Sequence, residues 1–111
     1  MDNFPMLLFA PEFVSPVVTK KKRATTRLIR SEALSALAPG VRVFAHTPKS
    51  EHPFAQLEIH SIEDRKFSEI DDDLAHTENL ESGIELQNSL KQFYPDIVDE
   101  DLVRVIFFVC F

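Results

Sequence analysis

The sequence predicts an α+β fold, in which a small, mostly antiparallel sheet curls toward a β-barrel and is flanked by helices. Two segments alternate apolar and polar residues with period two, Val41–His46 and Ala55–His60, and therefore predict strands. Residues 103–111 are apolar on both faces and rich in Val, Ile and Phe, which predicts a central strand. The chain has only two glycines and no glycine-rich phosphate loop, which argues against alternating βαβ units.

The N-terminal half supplies two more strands and two short helical segments. Met6–Phe9 predicts a short strand, and Thr25–Arg30 predicts an extended segment because it is rich in β-branched residues. Phe13–Val18 has apolar residues at helical spacing, and Pro16 is expected to break or restart that helix. Residues 31–37 predict a helical turn that ends at the following Pro-Gly pair.

Two helices are predicted in the acidic C-terminal half. The segment 71–80 begins with three aspartates, which are stabilised at the positive end of a helix dipole. Ser82 followed by Glu85 has the form of a capping box. It opens a helix with Leu86, Leu90 and Phe93 on one stripe, and this helix is expected to end at the Tyr-Pro pair of residues 94 and 95.

Length and composition predict one soluble domain spanning residues 1–111. Hydrophobic residues make up 44% of the 111 residues, as in ordinary globular proteins. The longest apolar run has seven residues, at 105–111, whereas a membrane span needs about 20. The N-terminus lacks the basic start and long apolar stretch of a signal peptide. A single cysteine, Cys110, excludes an internal disulfide, and we expect a cytoplasmic protein.

The charges are distributed unevenly along the chain. Residues 1–57 carry a balance of +4 and residues 58–111 a balance of −10. Half of the twelve cations fall between residues 20 and 30: Lys20, Lys21, Lys22, Arg23, Arg27 and Arg30. This window is either a solvated basic loop or a local site for an anion or phosphate, in a protein whose overall charge disfavours nonspecific nucleic-acid binding.

Within this window, Lys22, Thr25 and Arg27 are the sharpest candidates for chemistry. Thr25 and Arg27 share one face of the predicted strand, and Lys22 lies on the turn before it. A threonine hydroxyl is a weak nucleophile unless a base takes its proton, and a lysine whose pKa is depressed by neighbouring cations can serve. The alternative is an edge strand with a basic turn and no chemical role.

The other titratable residues give weaker signals. Glu78 follows Leu74 by four residues and should point toward the core, either as a half-buried ion-pair partner or as an acid catalyst. The aspartates at 71–73 point in different directions around a helix, so no metal site is predicted with His76. The four histidines show no ligand spacing, and Cys110 is predicted to lie in the core.

Taken together, these segments resemble the ASCH domain, a small β-barrel domain of the PUA-like superfamily, and more narrowly the bacterial N(4)-acetylcytidine amidohydrolases. The family motif is Gly-x-Lys-Thr-x-Thr-x-Arg entering a strand, followed by a Gly-Asp loop, a Glu-Asn pair and a helix that ends in Tyr-Pro. Lys22, Thr25 and Arg27 match the basic motif at its spacing. Residues 39–41, 78–79, 93–95 and 105–111 match the later elements in order.

The resemblance implies a metal-independent and cofactor-independent amidase that removes the acetyl group from N(4)-acetylcytidine. By analogy, Lys22 is the proton acceptor, Thr25 the nucleophile and Glu78 the proton donor to the leaving amine. Arg27 binds a polar part of the ligand or stabilises the charge that develops on the carbonyl oxygen. Such a mechanism supplies the nucleophile, the oxyanion stabilisation and the leaving-group proton that amide hydrolysis requires.

The chain departs from the family pattern at four places. Lys20 replaces the motif glycine, Arg23 replaces a threonine, Thr26 replaces an aliphatic residue, and the loop at Gly40 lacks its aspartate. We assign Arg27, Arg23 and Lys20 to substrate binding. Lys20 and Arg23 are cations that the family pattern lacks, and they favour a phosphorylated or polynucleotide ligand over a free nucleoside.

Three functions therefore remain open. They are a nucleoside amidase, an RNA-binding PUA-like module with or without ribonuclease activity, and a regulatory protein that binds a ligand without catalysis. The expected partner is a small nucleoside, with RNA as the second candidate and no membrane. The expected assembly is a monomer or a weak homodimer.

Overall fold

A computed structural model describes residues 5–31, 34 and 36–111 of the chain. The strands are β1 (Met6–Leu8), β2 (Ala24–Leu28), β3 (Arg42–His46), β4 (Ala55–Lys66) and β5 (Leu102–Cys110). The α-helices are α1 (Val14–Val18), α2 (Asp72–Thr77) and α3 (Gly83–Phe93), and single 3₁₀ turns lie at Pro11–Phe13, Ile29–Ser31 and Phe67–Glu69. No helix in this part of the chain is long and apolar enough to cross a membrane.

The five strands form one sheet in the order β1-β3-β4-β5-β2. Only the β1–β3 pair is parallel, so the predicted mostly antiparallel α+β fold is confirmed. The prediction of a closed barrel is not confirmed, because β1 and β2 are the two edges and no ladder joins them in the described residues. A side chain spans the gap instead: Nη2 of Arg27 on β2 donates to the Leu8 carbonyl oxygen on β1 at 2.7 Å.

Pro16 lies inside α1, so the prediction that it breaks this helix is wrong. The first four backbone N–H groups of a helix have no intrahelical acceptor, and a proline in the first turn therefore removes no helical hydrogen bond. The strand predicted at 25–30 runs from Ala24 to Leu28, because a 3₁₀ turn begins at Ile29. The predicted turn at 31–37 includes residues 32, 33 and 35, which lie outside the described residues.

β4 continues six residues beyond the predicted strand 55–60. Four of these six residues are charged and none of the six is buried, so apolar alternation gave no signal there. It is held by its partner, since residues 61–66 pair with β5 beyond a bulge between Ile59 and Ser61. β5 itself lies between β4 and β2, as its apolar composition predicted.

The N-termini of α2 and α3 lie together, since the Gly83 N–H donates to Oδ1 of Asp72 at 2.7 Å, and each helix has its own cap. Oδ1 of Asp71 accepts from the Leu74 N–H, and Oγ of Ser82 accepts from the Glu85 N–H at 3.2 Å. In a capping box the Glu85 carboxylate also accepts from the N–H of the cap residue, Ser82. Here this carboxylate accepts from the Glu81 N–H instead. A Cβ at Gly83 would lie 3.0 Å from the backbone of residues 70 and 71, so any other residue here would push that backbone back by a few tenths of an ångström.

Buried apolar residues form two clusters. α2 and α3 contribute Leu74, Ala75, Leu86 and Leu90 to the first cluster, together with residues of β2 and β5. The second joins the inward residues of β1, β3 and β4 to Ile106 and Phe108 of β5. The end of α2 lies against the turn that precedes β2, since the Arg23 N–H donates to the Thr77 carbonyl oxygen at 2.8 Å.

Candidate active site

A cavity of about 680 Å³ lies where the two sheet edges face each other. Its walls come from residues 5–10 on the β1 side, residues 25–27 of β2 and the α3 side chains Leu86, Leu90 and Phe93. Lys22 and Glu78 also line it, so the structure brings together the three residues predicted to be catalytic. This volume lies within the range of small-molecule sites in proteins.

The turn before β2 places Lys22 in the interior. The backbone N–H groups of Lys21 and Lys22 both donate to the Pro16 carbonyl oxygen at 2.9 Å, which folds the chain back onto α1. Lys20 adopts the left-handed conformation with φ of 66° that this turn requires. Glycine adopts this conformation at no steric cost, which is a physical reason for the glycine in the family motif. The Lys22 side chain is 4% exposed.

Glu78 reaches the same place from the end of α2. It caps the helix, and Asn79 follows in the left-handed conformation with φ of 65° that ends many helices. Its Oε1 lies 2.8 Å from Nζ of Lys22, and its Oε2 accepts a 2.5 Å hydrogen bond from Oγ1 of Thr26. The prediction that Glu78 points toward the core is confirmed, and its partner is a buried lysine.

The buried position of Lys22 lowers its pKa overall. Burial lowers the pKa of Lys22 from its ordinary value of 10.5, while the Glu78 carboxylate and its hydrogen bond oppose part of that shift. The nearby Arg27 lowers the pKa further. Nζ also lies 4.9 Å from the centre of the Phe13 ring, a cation–π contact that stabilises the ammonium form. A lysine with a lowered pKa is suited to accept a proton.

Thr25 and Arg27 lie on the same face of β2, as the sequence predicted. Nε of Arg27 donates to Oγ1 of Thr25 at 3.1 Å, and the guanidinium lies 5.1 Å from the centre of the Phe9 ring. With its bond to Leu8, this side chain bridges the edge strands and touches the candidate nucleophile. A cation beside the hydroxyl oxygen stabilises the charge that develops when the proton leaves.

Thr26 is the residue that the sequence reasoning missed. In the sequence it stands out only as a polar residue at an aliphatic family position, yet its hydroxyl is buried and bonded to Glu78. Alternation predicted that Thr25 and Thr26 face opposite sides of the strand, and this hid the second threonine, because α2 was not known to cover that side. The polar residue at an otherwise apolar position was the available signal.

Lys20 and Arg23, which we assigned to substrate binding, are exposed and do not line the cavity. Of the three predicted binding residues, the structure therefore places only Arg27 in its wall. Among the described residues, no group of three or more His, Cys, Asp and Glu side chains has an arrangement that holds a metal. Cys110 is buried, as predicted, and burial raises the pKa of its thiol.

The architecture matches solved ASCH domains. An ASCH domain from Lactobacillus crispatus JV V101 superposes with a TM-score of 0.80 at 16% identity, over 97% of this chain and 79% of that one. A protein of Enterococcus faecalis V583 superposes with a TM-score of 0.82 at 15% identity, over 100% and 78%. The class of protein that this fold defines is the ASCH domain.

Sequence relatives narrow this class. No family model matches the chain. An N(4)-acetylcytidine amidohydrolase of Vibrio cholerae serotype O1 (strain M66-2) is 30% identical over 86 residues, which cover 78% of this chain and 79% of the relative. A protein of the same name from Vibrio parahaemolyticus serotype O3:K6 is 28% identical over 97 residues, covering 87% and 88%. The chain belongs to the N(4)-acetylcytidine amidohydrolase family.

Proposed function

We propose that this protein is an amidohydrolase that removes the acetyl group from N(4)-acetylcytidine or a related N(4)-acylated cytosine nucleoside, using protein groups alone. The observation that carries the proposal is the buried Lys22–Glu78 pair, which lies in the same cavity wall as Thr25. A base, a hydroxyl nucleophile and a carboxyl acid are the groups that hydrolysis of an amide needs.

In the first half of the reaction, Oγ1 of Thr25 attacks the acetyl carbonyl carbon and passes its proton to neutral Lys22. The reaction starts from the form of the Lys22–Glu78 pair in which their shared proton lies on the carboxyl group, and proton transfer across their 2.8 Å hydrogen bond produces this form. Glu78 then gives this proton to N4 as the C–N bond breaks. The cytosine leaves with its amino group, the acetyl group remains as an ester on Thr25, and the pair becomes an ammonium and a carboxylate.

In the second half, water attacks the ester carbonyl carbon. The Glu78 carboxylate takes a proton from the water, and the Lys22 ammonium returns its proton to the departing oxygen of Thr25. Acetic acid is released, and both members of the pair return to their starting protonation states. The 2.8 Å contact between them keeps proton donor and acceptor at one location throughout the cycle.

The cavity also suits a flat heterocycle. Phe93 lies half-exposed in its wall, while Lys22 and Arg27 lie over the rings of Phe13 and Phe9, so the site offers an exposed aromatic side chain near two cations. Pyrimidine rings bind to such faces by stacking, and this arrangement positions a substituent on the ring at the polar end. The substituent in our proposal is the acylated N4 amine.

The test is an absorbance assay of N(4)-acetylcytidine conversion to cytidine, on chelator-treated protein and its variants. We expect turnover in the wild type, loss of at least about 10³-fold in kcat in Thr25→Ala, and partial recovery in Thr25→Ser, which keeps a hydroxyl. Circular dichroism of each variant checks the fold. Absence of turnover in the folded wild type, together with tight nucleoside binding, would favour the non-catalytic ligand-binding protein instead.

A second candidate substrate is the same modified base within an RNA chain. Lys20, Lys21 and Arg23 are exposed beside the turn that carries Lys22, and they can contact phosphates outside the cavity. In this case, the binding of a short acetylated RNA weakens steeply as salt rises, and replacing these three residues by alanine flattens that salt dependence. RNA affinity unchanged in the triple variant would count against this substrate.

A further inference from the structure

The backbone of β2 presents alternate residues to the cavity side. In antiparallel pairs, directly opposed residues alternate between exchanging two hydrogen bonds and exchanging none. The Phe108 N–H donates to the Arg23 carbonyl oxygen at 3.0 Å, which fixes this alternation. With the register Thr25↔Ile106 and Thr26↔Val105, Thr25 bonds to β5 and the backbone groups of Thr26 point away from β5.

The pairing of β5 with β4 leads to the same conclusion about which residues of β5 bond to β2. The Phe111 N–H donates to the Gln56 carbonyl oxygen at 3.0 Å, so odd-numbered residues of β5 bond to β4. Even-numbered residues such as Ile106 therefore bond to β2. Two independent bonds thus agree that the Thr26 N–H lies on the free edge of the sheet. Within the described part of the chain, this N–H has no protein acceptor.

The opposite edge faces the same gap. Pro5 and Phe9 bond to β3 through the Phe44 N–H and the His46 carbonyl oxygen, so the intervening Leu8 directs its carbonyl outward. That carbonyl accepts from Arg27, which shows that the outward groups of β1 look toward β2. The Thr26 N–H is accordingly a backbone donor at the edge of the cavity, in the residue next to Thr25.

Two features hold this donor in place. Thr26 is 4% exposed, and its side chain is fixed by the 2.5 Å bond to Glu78. Its neighbours Thr25 and Arg27 are fixed by their ladder with β5. A donor that is already oriented stabilises a developing negative charge without a reorganisation cost.

We propose that the backbone N–H of Thr26 donates a hydrogen bond to the acyl oxygen of the substrate as Oγ1 of Thr25 attacks, and so forms the oxyanion site. This inference rests on the proposed function, because it assigns the electrophilic partner of Thr25. It also gives Arg27 a different task, since its guanidinium is engaged with Leu8 and Thr25 across the gap.

The experiment replaces one backbone N–H by oxygen. A semisynthetic protein carries the α-hydroxy analogue of threonine at position 26, which converts the Thr25–Thr26 amide to an ester and keeps every side chain. The matched control carries the analogue of leucine at position 28, whose N–H also points off the edge but whose residue does not line the cavity. Both esters weaken the preceding carbonyl as a ladder acceptor to the same extent.

We expect the ester at 26 to lower kcat for N(4)-acetylcytidine by about 10²–10³-fold with little change in KM, and the ester at 28 to leave kcat within a few fold. Equal kcat values in the two esters would overturn the inference. It would also fail if the ester at 26 lowered the urea midpoint much more than the ester at 28, because this N–H would then serve the fold. Wild-type protein without turnover refutes the proposed function, a distinct result.

Discussion

Lys22 and Glu78 are 56 residues apart in the chain, and their charged groups meet at 2.8 Å with side chains only 4% and 3% exposed. Thr26 occupies the second oxygen of Glu78, so both carboxylate oxygens have donors. This cluster closes the cavity wall between β2 and α2. It links the stability of the fold to the chemistry of the site, and the first two predictions follow from that link.

Breaking this pair should be costly, whereas replacing both partners should not. We expect Glu78→Gln or Lys22→Met alone to reduce the free energy of unfolding by about 3–5 kcal/mol, because each leaves a buried charge without its partner. The double variant should recover most of that loss. Asp64→Asn provides the control, because it breaks the partly exposed pair with Arg104 and should cost about 1 kcal/mol or less. Urea unfolding measures all four variants, and additive single losses in the double variant would contradict the prediction.

Stability should depend on pH through Lys22. The folded-state pKa of Lys22 is lowered, so between that pKa and 10.5 the unfolded chain binds more protons at this residue than the folded one does. The wild type should therefore gain stability relative to Lys22→Met as pH rises through this window toward 10.5, and lose it as pH falls. Urea unfolding of both proteins at several pH values from about 7 to 10 gives the difference between their free energies of unfolding. A difference that is constant or shrinks with rising pH would contradict the lowered pKa.

Two adjacent isosteric substitutions identify the nucleophile. Thr25→Val removes the hydroxyl that contacts Arg27, and Thr26→Val removes the hydroxyl bonded to Glu78. We expect Thr25→Val to lower kcat by at least about 10³-fold, since the proposed nucleophile is lost. Thr26→Val should lower kcat by about 10-fold, because Glu78 loses one positioning bond to a charged group. The reverse order of losses in the cytidine assay would make Thr26 the nucleophile, with Glu78 as its base.

The turn before β2 contains backbone strain that glycine relieves. Lys20 has a φ of 66°, where an L-residue other than glycine is at a disadvantage of about 1–2 kcal/mol. Lys20→Gly removes this disadvantage, but glycine also has a greater entropy in the unfolded chain, which offsets part of the stabilisation. The net effect of Lys20→Gly should therefore be a stabilisation of about 0.5–1 kcal/mol. Lys21→Gly, at a residue without a positive φ, should destabilise it. Thermal unfolding compares the two variants, and a lower midpoint in Lys20→Gly would show that this turn is not strained.

Much of the fold was predictable because capping chemistry, composition and apolar periodicity, which are local to each segment, indicate the same helices and strands. The Ser82 cap, the strand 42–46 and the central position of residues 102–110 all follow from period, composition and capping chemistry. Pro16 was misjudged because its effect depends on its distance from the helix start, which the pattern places only within a few residues. The charged end of β4 was missed because pairing with β5, rather than apolar alternation, makes it a strand.

The sequence by itself determined the α+β class and the candidate residues Lys22, Thr25, Arg27 and Glu78, because these depend on residue type, spacing and resemblance within short segments. Only the tertiary structure decided that the sheet stays open, that Thr26 binds Glu78 and that the free edges of β1 and β2 face one cavity. Those features arise from contacts between residues far apart in the chain, such as the 52 residues between Thr26 and Glu78. The end of α2 meets the turn before β2 at these contacts, and no local pattern encodes that meeting.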